Sequence, residues 1–403
     1  MSTGSTGSFQ PNLTHQTRSQ FYYSSAIKRF TALNRDDHQS QAKLIFTILV
    51  IFAHIESSMG NIRGFYCHVQ GLANLFLDLH TSIEKTPLKA LLTAWMQVRF
   101  GVWWARSYFS SLEVHLGLPP VPLPRILERS FSSIEERRIS ALSILCESHR
   151  LNFKEVLKIW TYQTDHETFH QGGHRSDQDC DTIAQLAEQA RKSDQWLLHL
   201  PATEHPLGQM TLPQDYELNT PVVFRSHDAA LNFAYYVVGR IMQSDCFLRR
   251  LQIYDLSDLE NGCSEEEPWV RLLLRIAKGS NIQTSITRNN YTVGFSGLLL
   301  AAILRCHSLA LSIEIQDWLE TLKDLQPTEE GAFPVYQAFG VAKAINQQRM
   351  MGRQIFGVTQ PVDDGGGKPK FTAYNSQSIN TLLFHGRCQV SGRLFTDCVW
   401  IDL

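Results

Sequence analysis

Apolar residues recur at intervals of three and four along most of the chain. Ala42, Leu44, Ile45, Ile48, Leu49, Phe52 and Ile55 keep this period, which is that of one helix face. Asp36 or Asp37 supplies a capping carboxylate ahead of it, and Gly60 is a typical stop. Phe65, Val69, Leu72, Leu75, Phe76 and Leu79 predict a second helix. A third opens at Pro87, where a missing N–H costs nothing. It carries Leu88, Leu91, Leu92, Trp95, Met96, Val98, Phe100, Val102, Trp103 and Trp104. A helix apolar nearly all round belongs deep in a bundle. The same reasoning predicts helices over 133–160, 182–200, 226–251, 268–278, 284–304, 313–322, 333–350 and 373–387.

Strand signals are weak, because no stretch alternates apolar and polar residues between hairpin turns. Residues 394–403 read as either a short strand or a disordered end. Residues 118–124 hold four prolines and read as extended, and residues 201–221 as a long connection. The first residues are rich in Ser, Thr, Gly and Gln, so residues 1–35 are expected to be a disordered tail. Residues 36–403 are expected to form one helical domain. The fold class expected is all-α, a large multi-helix bundle without sequence repeats.

Charge narrows the function. The net charge is −2, with a pI near 6.7, so no strongly basic surface for phosphate backbones is indicated. The pairs Arg137-Arg138 and Arg249-Arg250 sit inside helical patterns and read as solvated faces. Eight cysteines are scattered between Cys67 and Cys398 with no C-x-x-C pair. That spacing argues against a disulfide framework or a compact thiolate zinc site and favours mostly buried thiols. The apolar stretches 44–53 and 294–304 are too short to span a bilayer, and the first residues lack the apolar core of a secretory signal.

The sharpest chemical motif is His166-Glu167-Thr168-Phe169-His170. On a helix, H-E-x-x-H places two imidazoles on one face for zinc, with the glutamate as general base. His174, Asp177 or Asp179 is a candidate third ligand. Gly172-Gly173 directly after the motif breaks the helix it needs, so a polar loop is the preferred reading, and no metal ligand is assigned. Residues 363–369 are glycine-rich but lack a phosphate-loop pattern, and their aspartates would repel phosphate. Trp95, Trp103, Trp104, Tyr108 and Phe109 read as core rather than pocket lining. Glu329 and Glu330 read as a turn whose carboxylates cap the following helix, not as an acid/base pair. No catalytic residue, cofactor or metal site is assigned.

A resemblance enters through several short stretches. They are Ile55-Glu-Ser-Ser-Met-Gly60, His68-Val-Gln-Gly71, Ile276-Ala-Lys-Gly-Ser280, Arg288-Asn-Asn-Tyr291, Ile315-Gln-Asp-Trp318, Glu329-Glu-Gly-Ala-Phe-Pro334, Met351-Gly-Arg353, Tyr374-Asn-Ser-Gln377 and His385-Gly386. In this order the chain resembles the regulatory region of fungal zinc-binuclear-cluster transcription factors, over roughly residues 40–390. The resemblance implies an all-α fold, nuclear action and control of a gene set. It extends to finger-less relatives in secondary-metabolite clusters, mycotoxin clusters among them. The family's six-cysteine DNA-binding cluster has no counterpart before Cys67. Action through a DNA-binding protein partner is therefore expected, with a homodimer as a further option. The alternative is a pathway enzyme on the same scaffold, in one version a zinc hydrolase at His166, Glu167 and His170.

Overall fold

The computed structural model describes residues 13–32, 42–58, 67–68, 86–107, 112–118, 120, 123–124, 127, 131–165, 177–207, 220–244, 247–248, 251, 265–289, 292–327, 329–331, 333–360 and 381–401. Among the described residues the fold is mostly helical, with a small three-stranded sheet and a two-stranded hairpin. Helices α1 (Leu13–Thr31), α2 (Ala42–Ser58) and α3 (Thr86–Arg106) come first, then α4 (Leu112–Leu116), α5 (Ile134–Asp165) and α6 (Asp177–Leu198). They are followed by α7 (His227–Gln243), α8 (Glu266–Gly279), α9 (Ile282–Arg288), α10 (Phe295–Ile303) and α11 (Leu309–Asp324). A short hairpin, β1 (Glu329–Glu330) and β2 (Phe333–Pro334), leads into α12 (Val335–Met350). Strands β3 (Arg353–Thr359), β4 (Thr381–Cys388) and β5 (Leu394–Trp400) complete the chain. Two compact units are distinguished: Met1–Trp95 with Gly365–Ser378, and Met96–Asp364 with Ile379–Leu403.

In the first unit, α1 runs where a disordered tail is expected. Its anchor is aromatic: Tyr23 and Phe30 meet the buried Phe52 of α2 edge-on, at 5.3 and 5.8 Å between ring centroids. Tyr23, Ile27 and Phe30 recur at helical spacing, a weak pattern that the polar composition around it masks.

The second unit is built around α7. Along it Leu231, Phe233, Ala234, Tyr235, Val237, Val238, Ile241 and Met242 are buried, so it is enclosed by neighbours rather than laid on a surface. It packs against α5, α6, α8 and α10, while α11 and α12 pair with each other. Helix starts follow capping chemistry. Ser226 Oγ accepts from Ala229 N at 3.1 Å, Asn281 Oδ1 from Thr284 N at 2.9 Å, and Ser308 Oγ from Leu311 N at 3.3 Å. The single helix expected over 284–304 is two, α9 and α10, with Asn289 ending one and Gly294 capping the other.

The strands correct the all-α expectation. β3, β4 and β5 form an antiparallel sheet in that order. β4 takes the place of the helix expected over 373–387. Leu382, Phe384, His385, Gly386 and Arg387 are all buried, so a central strand covered on both faces shows no alternation for a sequence reading to find. A β-bulge at Ile355/Gly357 interrupts β3. The β4–β5 turn closes through Cys388 N to Arg393 O and Gly392 N to Cys388 O, both 2.9 Å.

The first basic pair corrects the charge reading. Arg137 and Arg138 are buried, at 6 and 7 % exposure. Arg137 holds Glu204 with Nε to Oε2 at 3.0 Å and a second bond from its terminal nitrogen. Arg138 donates to Asn232 Oδ1 at 2.9 Å and pairs with Asp228. Acids distant in sequence neutralise both, and that is what permits their burial. Arg249 and Arg250 lie outside the described residues. Cys146 and Cys306 are buried thiols as expected, whereas Cys67 and Cys398 are exposed and Cys388 is half-buried.

Candidate functional site

The H-E-x-x-H stretch from His166 to His170 lies outside the described residues, as do His174, residues 363–369, Tyr108 and Phe109. Asp177 and Asp179 begin α6. Among the described residues no three His, Cys, Asp or Glu side chains gather in a metal-holding group, and no helix is long and apolar enough to cross a membrane. Trp95, Trp103 and Trp104 are core, at 3, 7 and 1 % exposure.

Among the described residues, three polar clusters are candidates for chemistry. The first, in the first unit, joins Tyr23 of α1, Glu56 of α2 and His68. The Tyr23 hydroxyl donates to Glu56 Oε1 and lies 2.9 Å from His68 Nε2. With its only proton given to the carboxylate, the phenol oxygen can only accept from His68, which fixes the proton on Nε2. His68 Nε2 lies 3.7 Å from Glu56 Oε1. Burial and the Glu56 carboxylate drive the Tyr23 phenol far above its ordinary range. Burial pulls His68 below the usual imidazole range, against the opposing attraction of Glu56. Glu56 is 5 % exposed, and its second oxygen, Oε2, is buried without a hydrogen-bond partner among the described residues. A buried carboxylate, a phenol and a partly exposed imidazole in one bonded chain can pass a proton or take a hydrogen-bond donor from a ligand.

The second cluster lies in the helical core of the second unit. The His149 ring stacks on Phe153 at 5.5 Å and lies 4.8 Å from Trp104. Burial, reinforced by the charges of Arg305 and His115, pushes His149 well below the usual imidazole range. Arg305 donates to Asn152 Oδ1 at 2.7 Å and Phe356 O at 2.8 Å, with its guanidinium 4.5 Å from the Phe247 ring centre. This set ties α5 to β3 and reads as core construction.

The third cluster is centred on Glu330, which is fully buried. Oε1 accepts from Asn289 Nδ2 at 2.6 Å and Phe295 N at 3.0 Å. Oε2 accepts from Ser296 N and Ser296 Oγ, both at 2.8 Å. The carboxylate therefore caps α10, not the helix that follows it in sequence, and neutralises the positive end of that helix's dipole. Gly331 makes the approach feasible. Its φ is +73°, and a Cβ there would sit 2.3 Å from Gly294 N.

The stretches that carry the resemblance separate accordingly. Glu56 and His68 meet in the first cluster, and Asn289 meets Glu330 in the third. Trp318 of α11 lies 6.3 Å from Phe295. His385 bridges the sheet, with Nε2 2.8 Å from Thr359 Oγ1 and Nδ1 3.0 Å from Thr396 Oγ1. Residues 374–377 lie outside the described residues. Tyr23 was missed in the sequence because nothing near it is motif-like. No family model, curated protein or solved structure matches the chain.

Proposed function

We propose that the chain is a transcriptional regulator of a fungal gene set, a secondary-metabolite cluster in the sharpest form of the reading, acting in the nucleus through a DNA-binding protein partner. One observation carries it. Residues quoted for the resemblance from separate stretches, Asn289 and Glu330, bond to each other 41 positions apart. That bond joins two of the stretches on which the resemblance rests within the second unit, and it supports the reading by giving them a common structural role. The test is deletion of the gene with transcripts and metabolites measured together. A coordinated fall in the transcripts of a gene set supports the regulator. Size-exclusion chromatography with light scattering tests the homodimer.

The Tyr23–Glu56–His68 chain favours a second reading, an enzyme of the same pathway with acid–base chemistry. It predicts unchanged transcripts and one accumulating intermediate on deletion, reproduced by Glu56→Gln. The zinc-hydrolase version predicts stoichiometric zinc in the purified protein and its loss on His166→Ala.

A further inference from the structure

The outward face of α1 gives the partner a chemistry. Residues 13–32 contain Arg18, Lys28 and Arg29 and no Asp or Glu, in a chain whose net charge is −2. At 100° per residue, Tyr23, Ile27 and Phe30 fall on one side of the helix, where Tyr23 and Phe30 pack on Phe52. Phe21, Lys28, Arg18 and Arg29 fall on the opposite side, with Tyr22 at its margin. All five are exposed. Phe21 and Tyr22 are 68 % exposed and touch each other edge-on at 5.9 Å. None of the three cations makes an ion pair with a described residue. Arg18 and Arg29 stand about 16 Å apart along the axis, with the aromatic pair between them.

We propose that this face docks an acidic amphipathic helix of a partner protein. Its apolar centre would cover Phe21 and Tyr22, and carboxylates at its two ends would meet Arg18 and the Lys28/Arg29 pair. The alternatives fit less well. Tyr23 and Phe30, which a membrane-surface helix would insert, are already packed on Phe52. A duplex phosphate backbone offers three cations their counter-charge but leaves the aromatic pair uncovered. An interface of this kind takes its orientation and rate from charge and its anchoring from the central aromatics. This deepens the regulator reading by naming the partner's chemistry, and it is tested independently of that reading.

The probe is a fluorescein-labelled helical peptide with a Leu/Phe centre and glutamates at both ends, titrated with the full chain by fluorescence anisotropy. Expected are saturable binding that weakens as salt is raised, a loss of about tenfold or more in Arg18→Glu/Lys28→Glu/Arg29→Glu, and a loss of about fivefold in Phe21→Ala/Tyr22→Ala. A peptide with lysine in place of glutamate should bind the charge-reversed variant better than the original chain. Circular dichroism and the thermal midpoint identify any variant that has lost its fold, and the lysine peptide, which requires a gain of binding, keeps the test decisive. Absence of peptide binding, binding indifferent to the reversal, or tighter binding to a DNA duplex or to phosphatidylserine vesicles overturns the proposal. A fall in transcripts on gene deletion alongside such a result would retain the regulator and reject this docking face alone.

Discussion

Glu330→Gln isolates what a buried helix-capping carboxylate contributes. The substitution keeps volume and reach but replaces one acceptor oxygen by an NH₂ group. If the NH₂ takes the Oε1 position, it faces Asn289 Nδ2 and Phe295 N, both donors. Asn289 cannot turn over without cost, because its Oδ1 already bonds His227 Nε2 at 2.8 Å. If it takes the Oε2 position, it faces Ser296 N, and only the Ser296 hydroxyl can rotate to accept. Either way at least one backbone N–H is left buried without an acceptor, costing about 1–3 kcal/mol, and the surviving bonds lose their charge assistance. The sum is about 3 kcal/mol for Gln and about 4 kcal/mol for Ala, which removes both carboxylate oxygens and leaves the Phe295 and Ser296 N–H groups without their acceptors, while Ser296 Oγ keeps the backbone O of residue 330 and Asn289 Nδ2 keeps Ser285 Oγ. Urea unfolding at neutral pH, followed by tryptophan fluorescence, measures it. With a slope of about 2–3 kcal/mol per molar, the midpoint should fall by about 1 M. Asn289→Ala should cost less when combined with Glu330→Gln than alone, since the two residues share a bond. A Glu330→Gln stability within about 0.5 kcal/mol of the original protein would refute the reasoning.

Other consequences are as direct. Burial holds His385 down at about 4, against 6.5 for an unburied histidine. The unfolded chain therefore binds the extra proton first, so stability is complete above about pH 6.5 and falls as pH drops toward 4, by on the order of 3 kcal/mol. His149 is shifted in the same direction. Urea midpoints across this range should flatten partly in His385→Gln. Gly331→Ala combines a left-handed backbone with the contact on Gly294 N and should cost about 3 kcal/mol. Gly386→Ala would place its Cβ 2.4 Å from Phe395 Cζ and 2.5 Å from Gln354 O, and should lower the thermal midpoint similarly. In thiol labelling of the native protein Cys67 and Cys398 should react promptly. Cys146 and Cys306, the latter pushed up to about 12 mainly by burial, should react only on unfolding.

The sequence by itself determined many of the helices, though not α1 or α4, because a 3.6-residue apolar repeat is written locally. The observed α2, α3, α5, α11 and α12 follow that repeat within a few residues at most ends. It also determined that Trp95, Trp103 and Trp104 belong to the core. Tertiary structure decided the rest. The break between α9 and α10 depends on a glutamate 41 residues beyond Asn289. The burial of Arg137 and Arg138 depends on Glu204 and Asp228 reaching them across the bundle. β4 is a strand because β3 and β5 take up its backbone hydrogen bonds along both edges, and burial on both faces removes the alternation that would have announced it. The Tyr23–Glu56–His68 chain exists only where three separate segments meet. Periodicity is a property of neighbours in sequence, whereas charge neutralisation, capping by a distant carboxylate and proton-sharing are properties of neighbours in space.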